Sequence, residues 1–184
     1  GIYDAFNKGM IVSKGEFIGF INSDDIYKKD ALSIISNYIR KNKATDFIFG
    51  SVKKHWGILH GYKPHKIKYS WGFYSSHSTG FFIKRKAAEK VGFYNIKYKY
   101  HADYDYFYRL IVKNKMKGIS TKKKEVVGIF RRGGFSSKIS FWKKLKEDIR
   151  IRYDNGQNIF LLILIFSNKF LRNIDEILKN IIKK

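Results

Sequence analysis

Apolar and polar positions alternate between two rhythms along this chain. Tyr3 to Val12 reads as a short helix, closed by Ser13, Lys14 and Gly15. Phe17 to Ile21 is a short apolar run of strand length, and it stops at Asn22-Ser23-Asp24-Asp25, a polar cluster of turn composition. Ala31, Ile34, Ile35, Tyr38 and Ile39 then recur at the spacing of one helix face, with Asp30 near its start. Phe47 to Val52 predicts a second strand, and His55 to Tyr62, punctuated by Gly57 and Gly61, predicts its hairpin partner. Residues 63 to 76 have the composition of a loop. A strand at Gly80 to Ile83 leads into a helix from Lys84 to Val91. Tyr104, Phe107, Tyr108 and Ile111 mark one face of another helix, with Asp103 at its start. Val126 to Phe130 predicts a strand, and Arg131 to Ser137 a loop containing Gly and Ser. Trp142, Leu145, Ile149 and Tyr153 predict the apolar face of an amphipathic helix, and from Asn158 onward the chain again reads as helix with one apolar face.

Strands alternating with helices are the pattern of an α/β sheet. No repeat or low-complexity linker interrupts it before about residue 135. The reading divides the chain into an α/β domain over residues 1–137 and a helical extension over 138–184.

Composition narrows the picture. The 184 residues are 44% hydrophobic and 17% aromatic, with 16 Phe and 13 Tyr, which is globular rather than disordered. There is no cysteine, as suits a reducing compartment or a fold that needs no disulfide. The longest apolar run, Ile159 to Phe166, is far short of the ~20 residues a membrane-spanning helix needs. The formal charge of +23 favours anionic partners such as nucleotides, phospholipid head groups or nucleic acid. The basic residues are scattered in short clusters rather than gathered in one tract, and an AT-rich coding bias accounts equally well for many lysines.

Four stretches carry chemistry. In Phe20-Ile21-Asn22-Ser23-Asp24-Asp25, two adjacent carboxylates follow an apolar strand. Ligands of open α/β sheets bind beyond the carboxyl ends of strands, and paired carboxylates there call for a neutralising cation. A hard divalent ion shared with diphosphate oxygens meets that need, while a turn that caps the next helix is the structural alternative. In His101-Ala102-Asp103-Tyr104-Asp105, two acids lie at a helix start, placed to act as a general base or merely as caps, with Arg109 as an ion-pair partner. Ser75-Ser76-His77-Ser78-Thr79-Gly80 offers His77 as a metal or phosphate contact or as a plain surface residue. Phe130-Arg131-Arg132-Gly133-Gly134-Phe135-Ser136-Ser137 sets two cations beside a hydroxyl-bearing loop that fits a phosphate or an ordinary turn.

In their order and spacing these stretches resemble the family 2 glycosyltransferases of the GT-A fold. Gly1 to Gly9, then Ser13 to Asp25, follows the run into that family's metal-binding DxD element. His77 to Phe82 is similar to the segment where bacterial members carry a His before a short strand. Val91-Gly92-Phe93-Tyr94, Ala102-Asp103-Tyr104-Asp105 and Arg109-Leu110 look like its acceptor-side element, and Gly-Gly-x-Ser-Ser at 133–137 occurs in many members. The resemblance covers roughly residues 1 to 140.

The resemblance implies a GT-A mixed sheet flanked by helices, lacking its first strands, with an added helical tail. It implies inverting transfer of a hexosyl-type sugar from a nucleotide-diphosphate sugar to a saccharide or lipid-linked saccharide acceptor, in surface polysaccharide or glycolipid synthesis. Asp24 would bind Mn²⁺ or Mg²⁺, with Asp25 supporting the metal or touching the donor. Asp103 would be the base that deprotonates the acceptor hydroxyl, with Asp105 as second choice. Asn7, Asn22, His77, Arg132 and Ser136 fall on the donor side. Asn22 stands where many members carry the first Asp of the DxD. The family places two strands and a helix ahead of the point where this chain begins, so an N-terminally truncated piece is expected. Apolar residues from Ile159 to Ile182, flanked by lysines, fit either ordinary packing of the C-terminal helices on the domain or an interfacial helix on a membrane surface. The resemblance implies a cytoplasmic location, at the inner face of the membrane where a lipid-linked acceptor calls for peripheral contact. The competing reading is a non-catalytic basic module, an inactive remnant or a nucleic-acid binder. No RRM-type aromatic pair, zinc spacing or helix-turn-helix accompanies the charge, which counts against nucleic acid.

Overall fold

The computed structural model describes residues 1–69, 78–131 and 139–174 of the chain. The chain divides into two compact units, Gly1–Lys138 and Ile139–Lys184.

The first unit opens with helix α1 (Ile2–Val12), strand β1 (Phe17–Gly19), the short strand β2 (Ile26–Tyr27) and helix α2 (Ala31–Lys41). Strands β3 (Phe47–Phe49), β4 (Ser51–Lys54) and β5 (Gly57–Leu59) follow, then two 3₁₀ turns at Pro64–Lys68 and Ser78–Gly80. Strand β6 (Phe81–Lys84) runs into helix α3 (Arg85–Val91). Helix α4 (Ala102–Tyr108) widens into a π-type turn at Arg109–Lys113, and strands β7 (Gly118–Ser120) and β8 (Val126–Ile129) complete the unit. The second unit holds helices α5 (Phe141–Asp154) and α6 (Ile159–Arg172).

The strands form two four-stranded mixed sheets, ordered β1-β6-β3-β7 and β2-β8-β4-β5. The expected strand from Phe47 to Val52 is therefore split between them. The break falls at Gly50, whose N–H bonds the Gly80 carbonyl at 2.8 Å and where a Cβ would lie 2.4 Å from Val127. Only a residue without a side chain lets the backbone pass from one sheet to the other so close to β8. The expected hairpin is present: β4 and β5 pair antiparallel, with Val52 opposite Leu59.

Helices cover the first sheet on both faces, so its central strands are buried throughout. Phe47, Ile48 and Phe49 of β3 are all fully buried. Alternation sends Ile48 to one side, where it packs with Ala31 and Ile35 of α2, Phe82 and Val127. Phe47 and Phe49 go to the other side, in ring contact with Phe81, and Phe49 also meets Phe107 of α4. Each such side chain contributes about 2 kcal/mol by its burial. The excess of Phe and Tyr in the sequence is thus largely core.

One expected face is wrong. On α5 the buried residues are Leu145, Asp148, Ile151 and Arg152, whereas Trp142 and Tyr153 are exposed. Arg152 donates to Asp148 at 3.1 Å and to Gln157 at 3.3 Å, and Lys169 of α6 reaches Asp148 at 2.6 Å. A charged cluster holds this helix pair where aromatic packing is expected, because paired charges can be buried once their hydrogen bonds are met.

Candidate active site

The segment after β1 forms a tight turn in which the Asp25 N–H bonds the Asn22 carbonyl at 3.1 Å. Asp25 is 7% exposed, and its carboxylate ties three segments together. Thr79, in the turn that leads into β6, donates its hydroxyl to Oδ2. The Asn22 side-chain amide donates to the same oxygen at 3.0 Å and to Ser78 Oγ at 3.0 Å. From the end of β8, the Arg131 backbone N–H approaches Oδ1 at 3.4 Å. A buried carboxylate is tolerable on those terms, since charge-assisted donors replace its lost water.

Gly128 belongs to this arrangement. A Cβ there would come within 2.6 Å of the Thr79 methyl, so the bare backbone of β8 is what lets Thr79 sit on Asp25. Tyr27 closes the turn from below, its hydroxyl on the Phe20 carbonyl at 3.1 Å, and burial with Asp25 nearby pushes its phenol up to about 12. Lys54, on β4, has its ammonium 4.6 Å from the centre of the Phe130 ring. Burial lowers its pKa, against the opposing pull of Asp25.

Asp24 is placed differently from its neighbour. It is partly exposed, and no described residue forms a hydrogen bond or ion pair with it. Asn22 Oδ1 is buried beside the same turn without a partner among the described residues. An available carboxylate and a spare oxygen acceptor fit a hard divalent cation. Among the described residues no group of three or more His, Cys, Asp or Glu is gathered as a cage. A Mg²⁺ site needs none when one or two carboxylates are completed by phosphate oxygens and water. Asn22 is also an apt neighbour for Asp25, because an Asp there would set two carboxylates about 3 Å apart and force one to stay protonated.

The second acidic station lies at the start of α4. Asp103 is partly buried, and its Oδ1 accepts from the Tyr3 hydroxyl at 3.3 Å and from the Tyr104 N–H at 2.9 Å. The Tyr100 carbonyl lies 3.2 Å from the same hydroxyl, so its single proton is shared between the two acceptors. Asp105 is 4% exposed and forms an ion pair with Arg109 at 2.9 Å. Arg109 in turn holds the carbonyls of Val91 at 2.6 Å and Phe93 at 2.7 Å. The pair thereby pins the loop after α3 to α4.

Asn7 faces neither acid. Its amide donates to the Tyr94 carbonyl at 2.9 Å and accepts from the Tyr94 N–H at 2.8 Å. Tyr94 is stacked between Tyr3, 5.7 Å away, and Tyr106, 4.1 Å away, and its ring also meets Phe6 and Phe20. Burial, reinforced by Tyr106 and Asp103, raises the Tyr94 phenol far above the usual range. An aromatic column thus runs from the strand end that carries the Asn22 turn to the helix start that carries Asp103. His77, Arg132 and Ser136 lie outside the described residues. A cavity of about 330 Å³, lined by Met10, Ile18, Arg85, Ala88 and Phe93 among others, touches none of the expected site residues.

Tyr3, Thr79 and Tyr94 are the contributions that sequence reasoning missed. Thr79 sits in a stretch already singled out for its histidine. Tyr3 and Tyr94 gave no local signal, since their partners are 87 to 100 positions distant.

Comparison with known proteins places the chain in a family. Residues 1–107 match the model of the family described as Glycosyl transferase family 2. Two curated relatives, from Mycobacterium bovis (strain BCG / Pasteur 1173P2) and Mycobacterium tuberculosis (strain ATCC 25177 / H37Ra), are both named PGL/p-HBAD biosynthesis glycosyltransferase. Each is 27% identical over 112 residues, covering 58% of this chain and 42% of the relative. The chain thus matches less than half the length of these relatives.

Proposed function

Since the chain belongs to glycosyl transferase family 2, we propose that it forms the acceptor side and metal station of an enzyme that transfers a hexosyl-type sugar with inversion. The donor is a nucleotide-diphosphate sugar. The acceptor is a saccharide or lipid-linked saccharide of the kind used in surface polysaccharide or glycolipid synthesis, and the relatives' assignment to a biosynthetic glycosyltransferase supports that class.

The observation that carries the proposal is the contrast between Asp24 and Asp25. One carboxylate is locked into the fold by Thr79, Asn22 and Arg131, and the other is left available at the turn the first one shapes. Asp24 would hold Mn²⁺ or Mg²⁺ together with the donor's diphosphate. Bound there, the cation supplies Lewis-acid neutralisation of the charge that grows on the departing diphosphate. Asp103, oriented by Tyr3, takes the proton of the acceptor hydroxyl. The acceptor oxygen then bonds to the anomeric carbon from the face opposite the diphosphate, the old carbon–oxygen bond breaks, and the nucleoside diphosphate leaves. Asp105 serves as a positioning residue through Arg109.

Calorimetric titration of nucleotide-diphosphate sugars into the protein, with and without Mn²⁺, tests the reading. Metal-dependent binding that disappears in Asp24→Ala is expected. Binding of RNA in wild type and variant alike, with no sugar nucleotide bound, would favour the basic-module reading and overturn this one.

A further inference from the structure

Helix α6 presents the wrong face to water. It begins firmly, with the Asn158 side chain accepting from the Phe160 N–H at 2.9 Å and the Leu161 N–H at 3.4 Å. Its contact with α5 runs along Leu162, Ile165 and Lys169, where Lys169 reaches Asp148, and Phe170 meets Trp142 at 5.9 Å. At 100° per residue the opposite side of the helix carries Phe160, Ile163, Leu164 and Leu171. These are 73%, 55%, 67% and 64% exposed, and Ile159 at the helix start is 53% exposed. A helix packed on one side in a water-soluble unit should be polar there. Here the side facing away from α5 is apolar apart from Ser167.

Three further features fit one occupant. Residues 139–174 carry seven Lys and Arg against three Asp and Glu, within a chain of net charge +23. Lys143, Lys146 and Arg150 of α5 are exposed. Trp142 and Tyr153, 49% and 67% exposed on the same helix, are the residue types that settle at the head-group level of a bilayer. Finally, the 14 residues of α6 span about 21 Å, short of the ~30 Å hydrocarbon core, and no helix among the described residues is long and apolar enough to cross a membrane. An apolar stripe too short to span, set among cations and interfacial aromatics, is built to lie in the plane of an anionic surface.

We propose that α6 docks in the plane of an anionic phospholipid bilayer through Phe160, Ile163, Leu164 and Leu171, with the net positive charge of the chain drawing it to the surface. The proposal uses none of the residues assigned to the transfer chemistry, so it survives or fails independently of the proposed reaction.

Co-sedimentation of the 184-residue chain with vesicles tests it, comparing 1:1 phosphatidylcholine and phosphatidylglycerol with pure phosphatidylcholine. Binding to the mixed vesicles is expected, at least tenfold weaker in Phe160→Ser/Leu164→Ser and weaker as ionic strength is raised. Both positions are exposed, and circular dichroism reports whether the variant keeps the helical content of wild type. Equal binding of the serine variant and wild type would overturn the proposal, as charge alone would then explain adhesion. So would failure of the wild type to bind mixed vesicles. A lipid-free dimer on gel filtration that the serine variant abolishes would assign the face to a second copy instead.

Discussion

The hydroxyl of Tyr3 lies 3.3 Å from the carboxylate of Asp103, joining residues 100 positions apart in the chain. The first helix thereby reaches the acid that the proposed reaction uses as its base. A donor on a carboxylate fixes its direction, so Tyr3 bears on the aim of Asp103.

Tyr3→Phe removes that donor and keeps the ring stack with Tyr94. Turnover should fall about fivefold, the value of one hydrogen bond of about 1 kcal/mol, with the KM for the donor unchanged. Steady-state kinetics on both proteins checks this. Wild-type turnover in the variant would show that Tyr3 only packs.

Asp105 and Asp103 should separate cleanly. Asp105→Asn breaks the ion pair with Arg109 and loosens its hold on Val91 and Phe93. Denaturant unfolding should show a loss of about 2 kcal/mol, while transfer persists at temperatures where the variant is folded. Complete inactivity of the folded variant would promote Asp105 from a positioning residue to a catalytic one.

Gly128→Ala should damage the donor side from a distance. The new methyl collides with Thr79 and pushes its hydroxyl off Asp25. Metal-dependent donor binding should weaken and the melting temperature drop. Thr79→Val, which removes the hydroxyl at nearly constant shape, should reproduce the loss of donor binding.

Acid stability reports on another long-range bond. Tyr38 of α2 donates to Glu125, and with the Lys122 N–H this holds the Glu125 carboxyl below its usual range, Tyr38 being the largest cause. A carboxylate depressed in the folded state stabilises the fold above its unfolded value of about 4.5, and the gain fades as pH falls through the lower folded value. Tyr38→Phe should therefore be less stable than wild type at pH 7, with the two converging as pH falls through the depressed folded value. Circular dichroism along an acid titration measures the gap. A gap unchanged at low pH would place the effect in packing rather than in the carboxylate.

Elements with a local signature were legible in the sequence. The i, i+3, i+4 pattern of Ala31, Ile34 and Ile35 gave α2, and Ala31 and Ile35 are indeed its buried residues. Asn22 to Asp25 read as a turn after a strand, and that is its form. The transfer of the chain between sheets at Gly50 was hidden, because a Phe47–Val52 run reads as one strand whichever sheets it joins. β7 is three residues long, too short for any period to show. The buried face of α5 escaped because hydrophobicity ranks Trp142 above Arg152, and partners such as Asp148 and Gln157 make Arg152 an interior residue. At the site, residue types were readable but partnerships were not. Asn7 looked like a ligand contact, and its amide instead clasps the Tyr94 backbone.

The central claim is that Asp103 accepts the acceptor's proton while the Asn22–Asp25 turn serves the donor. The direct measurement is transfer by Asp103→Asn in the protein as it is made in the cell, alongside its metal-dependent donor affinity. The account predicts transfer reduced about a thousandfold with donor affinity unchanged. Transfer at the wild-type rate would contradict it.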